Sequence, residues 1–482
     1  MKRIVLIALL LTPLLTLHAA DAPAPQFRAG AATSNITPEL GADIIGGFLP
    51  FPATHVHDEL HARCLVLDDG RTKVALVVCD LLGLHRSVSL EARKLIEKTT
   101  GIPASNVVIS ATHTHSATNV LGDVLRGFQS DSELTDYQKF VARRIADGVQ
   151  RAVNVLRPAE IAFGSVEAPE HVFNRRWFMK AGTMPVTPFG GTKDTVKMNP
   201  PAGSPNLVKP AGPTDPTVSF IALREPAGRL ISVFSAYSLH YVGGVGNGHI
   251  SADYYGMYCE ALKKLQTGGG IDPPFVALMA NGTSGDINNI NFRTPRPAKP
   301  PYEQMRYVAE DVAGKVNAAL AGLTWKDSVT LDARYRELGV AWRKMDPVLL
   351  AWARETEAKA KRIQGKADIA TIYADRVQKL AQASPEIKAP VQVLRIGDVC
   401  IGTSPCETFA EIGLEFKKRS SMAHSFMMEL ANGYFGYLPT PRHFELGGYE
   451  TWPGTNYLEP QASVKLMDAL LEMAAEVAPK LK

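Results

Sequence analysis

The sequence predicts a mixed α/β (α+β) fold in which layered β-sheets are flanked by helices. Short runs rich in β-branched residues, such as "KVALVVCD" and "NVVISA", alternate with longer stretches of helical period. This alternation is typical of layered architectures built from both element types. Over 482 residues, 45% hydrophobic and 21% charged side chains are the proportions of a globular protein with a large core.

No shift in composition divides the chain, so we expect one catalytic-type domain over 21–482, and no internal repeat is evident. Apolar residues at helical spacing predict helices near 88–98 and 137–155, from about 253, from about 303, along "ETFAEIGLEFKKR" and near 462–477. Residues 181–217, rich in proline and glycine, predict a long ordered loop. Residues 344–384 combine Ala, Lys, Arg and Glu with recurring apolar positions and predict a solvated helical insertion packed on the core.

The N-terminus has the order of a secretory signal peptide. Lys2 and Arg3 precede the apolar run "IVLIALLLTPLLTL", and the small residues Ala19 and Ala20 follow it. We therefore expect residues 1–20 to be removed and the protein to be secreted or periplasmic, with no transmembrane segment in the mature chain.

Charge and cysteine content exclude other classes. With 52 basic and 48 acidic residues the net charge is +4 and no long stretch concentrates it, so no nucleic-acid partner is expected. Five cysteines are too few, and odd in number, for a disulfide framework, although Cys400 and Cys406 remain a possible pair. Nothing in the residues indicates an oligomeric state.

Two histidines stand one residue apart at the end of a β-rich run, in "ISATHTHSAT". Residues i and i+2 of a strand point to the same side, so His113 and His115 are expected to face one pocket, where imidazoles at this spacing suit a metal ion. The alternative is a pair of hydrogen-bonded histidines with no ligand. A third candidate, His240, ends the run "LISVFSAYSLH" before a glycine-rich loop, and His249 competes with it for the same role.

Three further stretches contain polar residues next to predicted strands. In "FVALMANGTSGDINNINF", Ser284 lacks the glycine spacing of a G-x-S-x-G nucleophile elbow, and the turn is better suited to line an oxyanion or carbonyl pocket. In "IGTSPCETF", Glu407 is expected near the start of a helix. The stretch "NGYFGYLPTPRHFELGGYETWPGT" contains Tyr434, Tyr437 and Tyr449, which packing alone would also explain.

Together these motifs resemble the catalytic domain of the neutral, non-lysosomal ceramidases. The resemblance covers most of the chain after residue 20, in the order "AATSNITP", "CDLLGL", "SATHTHS", "FNRRW", "VFSAYSLH", "SADYYG", "NGTSGDIN", "SPCETF", "NGYFGYLPTP" and "GGYE". It implies one catalytic zinc ion held by His113, His240, Glu407 and Tyr437. It also implies that His115 and Tyr449 face the substrate amide, together with the arginine of the "NR" pair, Arg175.

The chain departs from the family pattern at two points. Asn288 stands where the family's G-D-V-S-P-N motif has a serine, and no immunoglobulin-like domain is expected after the catalytic domain. Zinc lowers the pKa of a bound water from about 16 to about 7, so hydrolysis by zinc-activated water does not require that serine. We expect Asn288 to orient the substrate or to donate to an oxyanion, and Asp253 to orient a ligand histidine.

The resemblance implies a secreted zinc-dependent amidohydrolase acting on a small-molecule or lipid-like N-acyl substrate. Two other interpretations stay open. One is a zinc-dependent esterase or deacetylase acting on a non-lipid substrate, and the other is a catalytically silent binding protein with the same fold.

Overall fold

Three β-sheets each turn one face toward a shared hydrophobic core. The computed structural model describes residues 26–121, 133–267, 273–360, 368–383 and 386–479, so the expected signal peptide lies outside the described residues. The first sheet contains, in spatial order, Val107–Ala111, Lys73–Cys79, His61–Asp68, Arg28–Asn35 and Arg157–Pro158. The second contains Glu160–Glu167, Thr217–Arg224, Leu230–Tyr237 and Val276–Asn281. The third contains Leu331–Ala341, Glu386–Ile396, Val399–Thr403 and His424–Met428.

Side chains alternate between the two faces of each sheet, as the period of a strand requires. In the first sheet, Leu65 and Leu76 point into the shared core, whereas Cys64 and Val77 point outward to the helices. Phe234 of the second sheet and Ile401 of the third also lie in the shared core. The three sheets therefore bury one another's inner faces, which confirms the predicted layered α/β class.

A pair of helices covers the outer face of each sheet. The pairs are Arg86–Thr100 with Asp136–Asn154, Asp253–Thr267 with Glu303–Leu320, and Ala410–Arg419 with Ala462–Val477. These are the six predicted helices, displaced by no more than a few residues at either end. None of the described helices is both long and apolar enough to cross a bilayer.

The same β-α-β unit occurs once in each sheet. In every unit a strand is followed by a helix and then by a strand parallel to the first. The units are Lys73–Cys79 to Val107–Ala111, Leu230–Tyr237 to Val276–Asn281, and Val399–Thr403 to His424–Met428. Because paired parallel strands end at the same edge of a sheet, each unit delivers two loops to one edge.

Most of the remaining elements are short. Two-to-four-residue strands occur at Asp43–Ile45, Phe51–Pro52, His55–Val56, Ala117–Thr118, Phe173–Asn174, Arg176–Met179, Val196–Met198, Leu207–Pro210, His249–Ile250, Ile287–Asn288, Glu407–Thr408 and Tyr437–Leu438. Short helices span Ala104–Asn106, Pro169–His171, Pro441–Leu446 and Tyr449–Thr451. The predicted loop 181–217 thus contains two of the short strands, both paired with Arg176–Met179.

The predicted insertion at 344–384 contains two helices, Pro347–Ala358 and Ile369–Gln382. Asp346 and Asp368 each accept a backbone N–H in the first turn of the helix that follows, which is the usual role of an N-cap aspartate. All five cysteines are free and buried, so Cys400 and Cys406 do not form the disulfide that the sequence left open.

The packing of the helix Asp136–Asn154 on the first sheet requires a glycine at position 30. A Cβ atom there would lie 2.1 Å from the carbonyl oxygen of Ala152. We predict that Gly30→Ala lowers the free energy of unfolding by more than about 2 kcal/mol, since backbone must move to relieve the clash. Gly314→Ala is the matched control: its Cβ meets nothing within 4 Å inside a helix, so a gain of about 0.5–1 kcal/mol is expected. Urea denaturation of both variants measures the difference, and equal effects would contradict this packing.

Candidate functional site

The candidate site lies at the carboxyl ends of the parallel strands in the three β-α-β units. His113 follows the strand Val107–Ala111, His240 follows Leu230–Tyr237, and Glu407 follows Val399–Thr403. Their side chains come from three different sheets and meet at one point, where the His113 and Glu407 side chains are 2% and 3% exposed. The order of the three residues in the sequence does not predict that they lie close together. Their proximity results from the packing of the three sheets around a shared core.

Hydrogen bonds join the three strand ends directly. The backbone N–H of Asn432, beyond the third sheet, donates to the carbonyl of Ile109 in the first sheet at 2.7 Å. The side-chain amide of Asn281, in the second sheet, donates to the carbonyl of Thr112 at 3.2 Å. Thr112 precedes His113, so this hydrogen bond from the second sheet helps to fix the position of His113, which follows a strand of the first sheet.

Each of the three histidines is held by a backbone carbonyl at its Nδ1 atom. The acceptors are Leu82 for His113 (2.6 Å), Gly46 for His115 (2.6 Å) and Ser284 for His240 (3.1 Å). A carbonyl oxygen only accepts, so each Nδ1 atom must hold the proton. In the neutral ring the Nε2 atom is then the one with a free lone pair.

The three Nε2 atoms and one carboxylate oxygen face one another. His113 Nε2 lies 3.1 Å from His115 Nε2 and 3.2 Å from Glu407 Oε2, and His240 Nε2 lies 3.9 Å from the same carboxylate oxygen. Within the described part of the chain, His240 Nε2 and Glu407 Oε2 are buried and have no hydrogen-bond partner. Four electron-pair donors that point at a common centre suit a cation.

The spacing of these donors fits zinc. Zinc–nitrogen bonds of about 2.0–2.1 Å in a tetrahedral site place neighbouring donor atoms about 3.3 Å apart. The distance of 3.2 Å from His113 Nε2 to Glu407 Oε2 is close to this value, and His240 Nε2 lies 3.9 Å from the same carboxylate oxygen. Imidazole and carboxylate are also the ligand types that zinc binds most often.

Burial and charge keep these groups in the protonation states that bind metals. Burial lowers the pKa of His115 and of His240 well below the ordinary histidine value, because desolvation disfavours the charged imidazolium. Burial opposes ionisation of Glu407, but the polar groups around its carboxylate, His113 first and then Tyr437 and Tyr434, outweigh burial and lower the pKa of Glu407 to about 2. The donor groups of His115, His240 and Glu407 are therefore free of protons at neutral pH.

The two histidines of the H-x-H motif reach the site from a loop and not from a strand. The strand ends at Ala111, and His113 has a φ of 76°, a left-handed conformation that is uncommon for a residue other than glycine. The expectation that both rings share a face because of strand geometry is therefore wrong. They meet because the loop turns at His113 and because Gly46, where a Cβ would lie 2.1 Å from the His115 carbonyl oxygen, lets the backbone approach.

Tyrosines surround Glu407. Tyr437 pairs with Glu407 in a two-residue parallel ladder, so Glu407 begins a short strand that lies just before the helix Ala410–Arg419. The Tyr437 hydroxyl accepts a 2.9 Å hydrogen bond from Arg175 Nη2. Tyr434 donates to Glu407 Oε1 at 2.7 Å, a contact that sequence analysis missed. The only sequence signal for this contact is the spacing of two tyrosines in "GYFGY".

A cavity of about 420 Å³ opens beside the histidines. Its polar wall contains His115, Arg175, His240, Tyr437 and Tyr449, so it brings together most of the residues predicted for the site. A smaller cavity of about 150 Å³ also borders His115, Tyr437 and Tyr449, and it reaches His113 and Glu407. The donor cluster therefore lies between two cavities and is open to small molecules.

The larger cavity has apolar and aromatic walls and an apolar mouth. Tyr241 stacks on the His115 ring, with ring centres 3.7 Å apart. Phe48, Val186 and Ile369 line the cavity from three separate segments and are 38%, 68% and 43% exposed. Large side chains left exposed together at the mouth of a pocket indicate a binding surface.

The helical insertion contributes to this cavity, which sequence analysis did not predict. Ile369 is the first residue of its second helix, and the Tyr373 hydroxyl lies 2.6 Å from Thr455 Oγ1. Phe189 packs between the two helices, with ring centres 5.0 Å from Trp352 and 5.4 Å from Tyr373. No local signal marks a helix of ordinary amphipathic composition as a cavity wall.

Asn288 lies one residue away from the cavity. Its side-chain amide donates to Asn199 Oδ1 at 3.0 Å, and Asn199 lines the cavity. Asn288 also pairs with Phe173 in a short antiparallel ladder. Asn288 thus supports the cavity wall through a neighbour.

Two other candidates have different partners from those expected. Asp253 accepts hydrogen bonds from the backbone N–H groups of residues 242, 243 and 254, so it holds the loop after His240 and does not orient a histidine. His249 contacts the Tyr302 hydroxyl and pairs with His55 in a short ladder. Between the two competing histidines, the structure brings His240 to the cluster.

Comparison with solved structures shows that the chain has the fold of the ceramidases. A structure described as a ceramidase complexed with C2 matches with a TM-score of 0.69 at 16% identity, over 95% of this chain and 76% of that one. The neutral ceramidase from Pseudomonas aeruginosa matches with a TM-score of 0.66 at 17% identity, over the same shares of the two chains. No protein-family model matches the chain. The predicted ceramidase-like catalytic-domain architecture is thereby confirmed.

A fully buried ion cluster holds the floor of the site. The Glu450 carboxylate accepts from Arg175 Nε at Oε1 (3.0 Å) and from Arg176 Nη1 at Oε2 (2.5 Å). Burial opposes ionisation of Glu450, but the two guanidinium groups outweigh it, Arg176 first, and lower its pKa. Because Arg175 also donates to Tyr437, the cluster fixes one side of the cavity.

We predict that Glu450→Ala lowers the free energy of unfolding by about 3–5 kcal/mol, because it leaves two buried guanidinium groups without a counter-charge. Glu472→Ala is the control. It removes one of two carboxylate partners of Arg336, in a pair whose side chains are 39% and 66% exposed, so a loss below about 1 kcal/mol is expected. Equal losses in urea denaturation would show that the buried cluster does not stabilise the site.

Proposed function

We propose that this protein is a zinc-dependent hydrolase that cleaves the amide bond of an N-acylated compound. The observation that carries the proposal is the donor cluster, in which three Nε2 atoms and one carboxylate oxygen converge beside an open cavity. Packing alone does not account for two histidine Nε2 atoms 3.1 Å apart in a buried site when the Nδ1 atoms of both rings face backbone carbonyls. The ceramidase fold supports the same reaction class.

His113, His240, Glu407 and Tyr437 are the proposed zinc ligands. When bound, zinc lowers the pKa of a water molecule and polarises a carbonyl oxygen. The protein's own contribution is to hold the ligands in place. The carbonyls of Leu82 and Ser284 orient the rings of His113 and His240, and the Tyr434 hydroxyl orients Glu407.

His115 and Tyr449 are the proposed substrate-facing residues. Both line the two cavities that flank the donor cluster. His115 is anchored through Nδ1 and directs Nε2 inward, so it is placed to exchange a proton with a reacting group. Burial raises the pKa of Tyr449, so at neutral pH its hydroxyl retains the proton and donates to an oxyanion.

The cavity walls support an acyl substrate. The tyrosine and tryptophan rings beside the site and the exposed apolar residues at the mouth suit a hydrocarbon group, while Arg175 and Asn199 offer polar atoms to an amide. By analogy with the ceramidases that share the fold, the proposed substrate class is a ceramide-like N-acyl amide. The proposal includes export by the N-terminal signal peptide, which N-terminal sequencing of the mature protein would test.

Metal content and turnover in two histidine variants test the ligand assignment. We predict that His113→Ala loses stoichiometric zinc and all activity on N-acyl substrates, since it removes a ligand. His115→Ala should keep zinc and lose activity by about a hundredfold or more, since it removes a proton-transfer group. Elemental analysis together with a panel of N-acyl amides measures both.

The control is His249→Ala, which changes a histidine outside the cluster and should retain both zinc and turnover. Zinc retained in His113→Ala would contradict the ligand set, and zinc lost in His115→Ala would make His115 a ligand. A matched panel of esters, assayed with and without chelator, distinguishes an amidase from an esterase. Absence of chelator-sensitive turnover on either panel would favour a silent binding protein.

A further inference from the structure

A buried glutamate behind the donor cluster has no place in the proposed reaction. Glu429 follows the strand His424–Met428 of the third sheet and is fully buried. Its Oε1 atom accepts from Ser284 Oγ at 2.7 Å, and its Oε2 atom accepts from the backbone N–H of Thr408 at 2.5 Å. Both carboxyl oxygens are therefore occupied, and no basic side chain is among these partners.

A carboxyl group that is buried without a basic partner destabilises the fold unless it makes hydrogen bonds that an apolar residue cannot make. Burying a carboxylate without a basic partner is strongly unfavourable. An apolar residue of similar size would avoid the cost, but the Ser284 hydroxyl and the Thr408 N–H would then lose their acceptors. The contacts of those two groups indicate what the glutamate provides.

Both partners of Glu429 lead directly to proposed zinc ligands. Ser284 lies against His240: its carbonyl oxygen is 3.1 Å and its hydroxyl oxygen 3.3 Å from Nδ1 of that ring. Thr408 is the residue after Glu407. The Glu429 carboxyl group therefore connects Ser284, which contacts His240, to Thr408, which follows Glu407 in the sequence.

The donor directions are consistent along this chain of contacts. Ser284 Oγ donates its proton to Glu429, so its remaining lone pairs can accept only from the Nδ1–H of His240, alongside the Ser284 carbonyl. This leaves Nε2 of His240 without a proton and directed at the cluster. If the Ser284 hydroxyl turned around to donate to Nδ1, the ring would take the opposite tautomer and could not bind a metal through Nε2.

We infer that Ser284 and Glu429 are positioning residues for the metal, which fix the tautomer of His240 and the distance between His240 and Glu407. The inference rests on the proposed zinc site. It also gives a role to the serine of "NGTSGD", whose burial and hydrogen bond to Glu429 remove it from the cavity as a nucleophile. Residues that hydrogen-bond a metal ligand typically contribute about 10–100-fold to metal affinity.

The test is the zinc affinity of folded protein, measured by competition with a chromophoric chelator well below the unfolding temperature. We expect Ser284→Ala to weaken zinc binding about 10–100-fold, and Glu429→Gln to weaken it also, because one amide cannot accept from both Ser284 and Thr408. If Ser284→Ala does not fold, the zinc affinity of Glu429→Gln still tests the inference.

The matched control is Ser235→Ala. Ser235 is also fully buried on a strand of the second sheet and makes a 2.7 Å hydrogen bond, to the Tyr258 hydroxyl, away from the cluster. Its loss should lower stability and leave zinc affinity unchanged. Equal zinc affinities in Ser284→Ala and Ser235→Ala, or an unchanged affinity in Ser284→Ala, would overturn the inference.

A double-mutant cycle separates action through His240 from a general loosening of the site. In a His240→Ala background, Ser284→Ala should have no further effect on the remaining zinc affinity, and an undiminished effect there would overturn the inference. Zinc stoichiometry of the wild-type protein is measured first. A wild type that binds no zinc refutes the proposed function itself, whereas a zinc-binding wild type with insensitive variants refutes only the positioning role.

Discussion

Three hydrogen bonds from imidazole Nδ1 atoms to backbone carbonyls determine what this site can do. The carbonyls of Leu82, Gly46 and Ser284 fix each proton on the outer nitrogen of a ring. Each inner nitrogen then keeps a lone pair that faces the centre of the cluster. The chemistry therefore depends on backbone geometry in three loops as much as on the histidines themselves.

That geometry follows from the shared core. Each sheet contributes one β-α-β unit, and the inner faces of the three sheets pack together, so the ends of three parallel strand pairs are brought to one place. Ligand-binding sites of α/β proteins commonly form at the carboxyl ends of parallel strands. Here the carboxyl ends of parallel strands in three sheets form one site. Direct hydrogen bonds between these segments, such as Asn281 to Thr112, hold the donor atoms in position.

Sequence reasoning predicted most of the elements, because helical and strand periodicity is a local property. The helix Ala462–Val477 has the predicted bounds, and the α/β class follows from the alternation of elements. The threefold recurrence of the β-α-β unit was not visible, since the three units share a topology and not a sequence pattern. The turn at His113 also escaped prediction, because a left-handed residue other than glycine has no sequence signature. The partners of Ser284 and Asp253 depend on contacts between distant segments, and periodicity does not encode them.

The most direct test of the proposed zinc site is X-ray diffraction from crystals of the purified protein, recorded on both sides of the zinc absorption edge. We expect one anomalous peak, bonded to the Nε2 atoms of His113 and His240 and to Glu407, with Nδ1 of both rings still facing carbonyl oxygens. A zinc-supplemented crystal with no peak at this position, or with either ring turned so that Nδ1 faces the cluster, would contradict it.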